Sequence, residues 1–173
     1  CVPVSRVKPL LPSEDLELSL VRPDTTVLVM AASEFRKIDG MKPFNEFGIF
    51  IPVTYKGVQG FFAVYLPASS EESVKIGAEG CGFPKSIAKV HFEETQTHRH
   101  CHVEADGKRV LTFTVKKIPT KLAPLETYCY SAKSGKIFSY RIQSRGYWEI
   151  SDDPQGASFR FGEHAFGQSL EAW

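Results

Sequence analysis

The sequence contains no long hydrophobic run and no block of like charges. Its 173 residues include 21 Lys and Arg against 20 Asp and Glu, so the formal net charge is +1. A charge this close to zero gives no electrostatic basis for binding nucleic acid or an anionic membrane surface. No apolar stretch approaches the ~18 residues of a membrane-spanning helix, and the N-terminus lacks the pattern of a secretory signal. We therefore expect a soluble protein that binds neither nucleic acid nor membrane.

Cysteine is also scarce and widely spaced. Cys1, Cys81, Cys101 and Cys129 include no C-x-x-C pair. This spacing argues against a zinc knuckle or a disulfide framework and predicts a cytoplasmic protein. Because the chain starts with Cys rather than Met, we expect that it is not a complete translated sequence.

Short extended segments dominate the pattern that is present. The predicted strands are 26–32, 48–55, 60–66, 89–92, 97–104, 109–115, 137–142 and 158–161. Lys56-Gly57 and Asp106-Gly107 are turn signals between neighbouring strands. A proline-rich segment at 118–124 reads as a loop. The pattern predicts one mainly β domain over residues 1–173, built as an antiparallel barrel or closed sheet.

One short helix is predicted from Ser70 to about Ala78. Ser70 is a good N-cap, and Glu71 and Glu72 in the first turn suit the positive end of the helix dipole. The helix leads into a Gly-Cys-Gly turn just before Lys85.

Lys85 stands among apolar and turn residues, where surface lysines are rare. Its neighbours include Phe83, Pro84, Ile87 and Ala88. Burial disfavours an ammonium and can lower a lysine pKa from about 10.4 by several units. A buried neutral lysine can condense with a carbonyl compound to form a Schiff base. The alternative is that Lys85 only starts a strand, with its stem packed and its amine in water.

Six segments of the sequence, taken in order, carry a family pattern. They are 8–14 (Lys-Pro-Leu-Leu-Pro-Ser-Glu), 44–48 (Phe-Asn-Glu-Phe-Gly), 51–60, 65–66, 77–85 (Gly-Ala-Glu-Gly-Cys-Gly-Phe-Pro-Lys) and 161–165 (Phe-Gly-Glu-His-Ala). With the spacing of 39 residues from Glu46 to Lys85, they resemble the acetoacetate decarboxylase family. The resemblance implies a cone-like barrel, a homo-oligomer, and an N-terminal family segment that this sequence does not include.

The resemblance also implies the site residues. Lys85 would be the Schiff-base nucleophile, and Glu46 a pocket carboxylate that steadies the iminium or moves a proton, rather than a solvated loop glutamate. Phe83 would wall the substrate pocket, where relatives often carry tyrosine. Cys81 is a candidate for the same pocket, although a small buried side chain is the simpler interpretation. Glu79 is a further candidate, for which we favour a structural role in holding the lysine turn.

Three positions depart from the family pattern. Ser86 follows the lysine where relatives carry a second lysine, so burial would have to activate the nucleophile largely by itself. A second pocket glutamate, expected 15 residues before the first, falls on Ala31, and Glu34 is the nearest carboxylate. The family's substrate-binding arginine lies in the N-terminal segment, and Arg22 is the only early arginine near an apolar strand.

The leading functional prediction is a Schiff-base enzyme that decarboxylates a short β-keto acid without a metal or organic cofactor. The departures at Ser86 and Ala31 favour two alternatives. One is a lysine-dependent aldolase or dehydratase that acts on a 2-oxo acid. The other is a barrel that binds a small carbonyl or hydrophobic ligand without turnover.

Two further groups of residues need an interpretation. His98, His100 and His102 share one strand face about 6.5 to 7 Å apart, too far for one metal ion, so we expect an exposed polar face. Aromatic residues outside the pocket suggest surplus apolar surface and hence an oligomer interface. They are Tyr128, Tyr130, Tyr140, Tyr147, Trp148 and Trp173.

Overall fold

Strands make up most of the computed structural model, which describes residues 1–38, 40–117, 126–143 and 157–161. The strands are β1 (Val2–Pro3), β2 (Leu16–Leu18), β3 (Thr25–Thr26), β4 (Val29–Phe35), β5 (Phe44–Tyr55), β6 (Val58–Ala68), β7 (Lys85–Ile87), β8 (Lys89–Glu94), β9 (His98–Ala105), β10 (Lys108–Lys116), β11 (Glu126–Lys133), β12 (Lys136–Gln143) and β13 (Ala157–Phe161). The helical segments are α1 (Val4–Val7), a 3-10 turn (Lys8–Leu10), α2 (Glu71–Lys75) and a π turn (Ile76–Gly80). Among these residues, no helix is long and apolar enough to cross a membrane.

Two-residue turns join the long antiparallel strands. Lys56 and Gly57 both have positive φ, at 50° and 78°, and they connect β5 to β6. Asp106 and Gly107 do the same between β9 and β10, at 51° and 73°. Positive φ at both central positions twists the chain to match the right-handed twist of the strands. Both predicted turns are therefore confirmed.

The strands form two main sheets. The first has the order β12-β11-β6-β5-β2, with β4 also paired to β5 and β7 to β6. The second has the order β13-β10-β9-β8. Within the described residues neither sheet closes on itself, so the mainly β prediction holds but the predicted closed barrel is not confirmed. Both β11 and β7 run parallel to β6, which departs from the predicted all-antiparallel pairing.

The parallel pair β6–β7 explains why a helix lies beside Lys85. Parallel neighbours cannot be joined by a tight hairpin and need a crossover connection. Here α2 and the π turn supply the crossover between the end of β6 at Ala68 and the start of β7 at Lys85. The crossover therefore carries the chain across the sheet and returns it at the lysine.

The main core lies between the two sheets. Phe47 and Ile49 of β5 pack with Val90, Val103 and Leu111 of the second sheet, and none of these side chains is more than 2% exposed. Burying such a side chain contributes about 1.5–3 kcal/mol. On β5 these core residues have odd numbers, so the even-numbered Glu46 points to the opposite face.

A second apolar cluster packs beyond the end of that core. It contains Ile51 and Phe62 together with Tyr130, whose hydroxyl donates to the carbonyl of Val58 at 2.9 Å. Tyr130 is 1% exposed, so the prediction that it lies on a surplus apolar surface is wrong. Tyr140 is half-buried and packs against Phe83.

Several elements differ from the sequence prediction, and two of them border the lysine turn. Strand β11 (Glu126–Lys133) was not expected, because its Thr-Tyr-Cys-Tyr-Ser-Ala run is poor in aliphatic residues. The predicted helix from Ser70 ends earlier, at Lys75, and a π turn follows it. The N-cap is confirmed, since the Ser70 side chain accepts the backbone N–H of Ser73. Tyr147, Trp148, Trp173 and segment 162–165 lie outside the described residues.

Candidate active site

Lys85 and Glu46 meet on one face of the first sheet. Glu46 on β5 is paired with Ala68 on β6, and Leu66 on β6 is paired with Lys85 on β7. Paired residues share a face, as do residues two apart, so both long side chains rise from the same side. The Lys85 Nζ donates to Glu46 Oε2, and each side chain is only 12% exposed. The register of three strands thus forms a largely buried ion pair.

Helix α2 and the π turn pack over this pair and contact the lysine side chain. Ser73, which is 3% exposed, accepts a hydrogen bond from Lys85 Nζ at 2.8 Å. Gly77 faces the lysine stem, because a Cβ built there would lie 2.8 Å from Lys85 Cε and closer still to Cδ. Residues four apart lie on one helix face, so one face holds the amine and leaves room for the stem.

An aromatic wall completes the surroundings of the amine. Lys85 Nζ lies 5.3 Å from the ring centre of Phe44, within the range of a cation–π contact. Phe35 stacks on Phe44 with ring centres 4.8 Å apart. These rings keep water from one side of the ion pair.

Burial controls the proton affinity of Glu46. The loss of hydration raises the pKa of this carboxyl, and the nearby Lys85 only partly opposes the effect. A raised pKa means that the folded chain holds a proton here more tightly than an exposed glutamate does. In its protonated form, Glu46 is a proton donor within hydrogen-bond reach of Lys85 Nζ.

Ala31 lies on the same sheet face as Glu46. Ala31 pairs with Gly48 and Ser33 pairs with Glu46, so both alanine and serine share the face of the carboxylate. Glu34 points to the other face and forms an ion pair with Arg36 at 2.7 Å. The nearest carboxylate therefore does not replace the second pocket glutamate.

Phe83 and Cys81 belong to the turn that precedes the lysine. The Phe83 ring lies 5.1 Å from that of Tyr140. The carbonyl of Cys81 accepts hydrogen bonds from the hydroxyls of Ser131 and, at 3.2 Å, Tyr140. Hydrogen bonds from strands β11 and β12 thus hold this turn in place.

The structure does not place Glu79 in the pocket. Its side chain is exposed, and its carbonyl accepts a hydrogen bond from Lys133. A backbone contact rather than the carboxylate therefore links Glu79 to β11. Ser86 is exposed, and it points away from the face of Lys85 because neighbours on a strand alternate. Arg22 is also exposed and bridges to Thr25, with no contact to the site among the described residues.

A cleft of about 410 Å³ opens beside the lysine turn. Phe62, Val64, Phe83, Pro84, Ala132 and Lys133 are among its lining residues. Phe83 and Pro84 connect the cleft to the turn, but neither Lys85 nor Glu46 lines it. The cleft is thus adjacent to the ion pair and separate from it.

The histidines lie on β9 as expected from their spacing. Ring centres of His98 and His100 are 6.2 Å apart, and those of His100 and His102 are 6.4 Å apart. His100 and His102 each pair through Nδ1 with a threonine of β10, at 3.0 and 3.2 Å. The rings are half-buried rather than exposed. Within the described ranges, no group of three His, Cys, Asp or Glu is arranged to hold a metal ion.

Comparison with known proteins connects this site to a family. The family profile described as acetoacetate decarboxylase (ADC) matches residues 2–149. The chain belongs to the acetoacetate decarboxylase family. A search of curated protein sequences returned no match.

Solved structures of acetoacetate decarboxylases share the fold. The enzyme from Legionella pneumophila is 18% identical with a TM-score of 0.66, over 94% of this chain and 68% of its own. Another acetoacetate decarboxylase is 15% identical with a TM-score of 0.71, over 95% and 70%. The enduracididine biosynthesis enzyme MppR, complexed with a condensation product of pyruvate and imidazole 4-carboxaldehyde, is 16% identical. Its TM-score is 0.62, over 97% and 73%.

Sequence reasoning missed Ser73 and Gly77. A serine and a glycine four residues apart are common in any surface helix, so their types carried no distinctive signal. The available signal was the placement of both small residues on one face of a helix that leads to the lysine turn.

We predict that Gly77→Ala destabilises the chain by about 1–3 kcal/mol, because its methyl group forces the lysine stem away from Glu46 and Ser73. Gly80→Ala is the matched control in the same π turn, since a Cβ there has no neighbour within 4 Å. Urea denaturation of both variants measures the difference. Equal effects of the two substitutions would show that the lysine stem does not rest on Gly77.

Proposed function

We propose that this chain is a Schiff-base-forming lyase that decarboxylates a short β-keto acid through an iminium on Lys85. The observation that carries the proposal is the amine itself. Its Nζ is held between Glu46 and Ser73, beside an aromatic ring, and its side chain is 12% exposed. A lysine used only for solubility would leave its head in water. Membership of the acetoacetate decarboxylase family supports the same assignment.

The first half of the reaction uses the hydrogen-bonded pair of Lys85 and Glu46. With the proton on Glu46, the lone pair of Lys85 Nζ adds to the ketone carbon and forms a C–N bond. The carbonyl electrons move to oxygen, which takes up a proton. Loss of water, with Glu46 as the acid, then leaves a protonated imine. Overall one amine, one ketone and one proton give an iminium and water.

The second half uses the iminium as an electron acceptor. The bond to the carboxylate carbon breaks, carbon dioxide leaves, and its electron pair forms an enamine. Protonation of the enamine carbon and hydrolysis by water then release the ketone and restore the amine. Glu46 gave its proton in the loss of water and regains one from solvent. Because its carboxyl group contacts Lys85 Nζ, we assign to it the transfer of this second proton to the enamine carbon. The iminium takes the electron pair, so the proposal includes no metal or organic cofactor.

A second candidate is a lysine-dependent aldolase or dehydratase that acts on a 2-oxo acid. Two observations favour it: Ala31 stands where a second pocket carboxylate was expected, and the similar MppR structure contains a pyruvate-derived condensation product. Both candidates start with the same iminium on Lys85 and differ in the bond that breaks or forms next. The homo-oligomer and the cytoplasmic location stay predictions from sequence.

Borohydride trapping tests the proposal. We expect that acetoacetate or pyruvate, followed by sodium borohydride, adds one covalent adduct that peptide mapping places on Lys85. Lys85→Ala abolishes the adduct, whereas Lys89→Ala, four residues on and exposed, leaves it unchanged. Release of carbon dioxide from acetoacetate identifies the decarboxylase, and a condensation product from pyruvate plus an aldehyde identifies the second candidate.

An adduct spread over Lys89, Lys116 and Lys117 would refute the assignment of Lys85. Binding of keto acids without any adduct would support the non-catalytic alternative.

A further inference from the structure

Three polar side chains in the described part of the chain are buried: Thr26, Ser73 and Ser131. The hydroxyls of Thr26 and Ser131 donate to backbone carbonyls, which explains their burial by the needs of the fold. Ser73 differs because its oxygen accepts a hydrogen bond from the Nζ of Lys85. Among the described hydrogen bonds, the partner of the Ser73 hydroxyl is therefore the lysine amine rather than a backbone carbonyl.

We propose that Ser73 is a positioning residue that directs the lone pair of Lys85 toward the substrate carbonyl. The inference rests on the proposed function, in which Lys85 is the nucleophile. Helix α2, which carries Ser73, would then act in the reaction as well as cover the site.

The geometry of the amine explains this role. A neutral lysine amine has two N–H groups and one lone pair on a head that rotates about the Cε–Nζ bond. With the carboxyl proton on Oε1, Glu46 Oε2 accepts one N–H and Ser73 Oγ accepts the other, so the lone pair occupies the third direction. That direction is the one left for a carbonyl carbon. With Glu46 alone, the head rotates about one hydrogen bond and the lone pair is aimed only part of the time.

Ser73 is well placed to hold a fixed direction. Its backbone N–H donates to the N-cap Ser70 Oγ at 3.2 Å, and the N–H of Val74 donates to the Ser70 carbonyl at 3.0 Å. These bonds fix the first turn of α2. Gly77, one turn later, receives the lysine stem, so the same helix face positions both ends of the side chain.

Two rate measurements on Ser73→Ala test the inference. The first is arylation of Lys85 by fluorodinitrobenzene, with Lys89 in the same molecule as the internal reference. This reaction needs no keto acid and reports on the amine alone. The second is the rate of borohydride-trapped adduct formation at increasing acetoacetate or pyruvate concentration.

We expect Ser73→Ala to lower the arylation rate of Lys85 and the maximal rate of adduct formation about tenfold each, the factor for one lost hydrogen bond. The keto acid concentration that gives half the maximal rate should stay within about twofold of the wild-type value. Ser73→Thr keeps a hydroxyl and restores most of the loss. Ser86→Ala, a serine on the other face of β7, is the matched control and leaves both rates unchanged. Should the alanine variant fail to fold, Ser73→Cys removes the strong acceptor at nearly constant volume and is expected to show the same loss.

Unchanged arylation in Ser73→Ala, or a loss that Ser73→Thr does not restore, would overturn the positioning role. Failure of the proposed function looks different. In that case the wild type forms no adduct with any keto acid, while arylation of Lys85 still responds to Ser73.

Discussion

The hydrogen-bonded pair of Lys85 and Glu46 is the interaction on which the arrangement of the site depends. Removing two charges from water costs several kcal/mol for each ion, and only a close partner with further hydrogen bonds offsets that cost. The chain meets this requirement with a strand register, a helix-borne hydroxyl and an aromatic ring. Burial also raises the pKa of Glu46, so this carboxyl binds a proton more tightly than an exposed glutamate does.

Register is the constraint that places the pair. A slip of β5 by one residue would send Glu46 into the inter-sheet core and move Phe47 and Ile49 out of it. The apolar core therefore selects the register that delivers the carboxylate to the site. Gly48 lies on the same face of β5 as Glu46. The Phe50 ring is so close to it that any side chain at this position would overlap the ring. The packing that stabilises the sheets therefore also places Glu46 at the site beside Lys85.

Those parts of the fold that depend on neighbouring residues in the chain could be predicted from the sequence. Turns at Lys56-Gly57 and Asp106-Gly107 and the N-cap at Ser70 depend on a few neighbouring residues. The parallel pairing of β7 and β11 with β6 could not be predicted, because pairing between distant segments leaves no periodic signal in either. For the same reason the contact of Ser73 with Lys85 was missed, and the pocket candidate Glu79 has an exposed side chain. The pairing of Glu46 with Lys85 was expected only through the family resemblance.

A double-mutant cycle on unfolding free energy tests the buried pair most directly. The variants are Lys85→Met, Glu46→Gln and the combination of both, compared with the wild type by urea denaturation. Lys85→Met alone leaves a buried carboxyl without its partner and is expected to cost about 3–5 kcal/mol. The double variant should be more stable than Lys85→Met, with a coupling energy of about 1.5 kcal/mol or more. Effects that add within about 0.5 kcal/mol would contradict the account, because they would show that the two side chains do not interact in the folded chain.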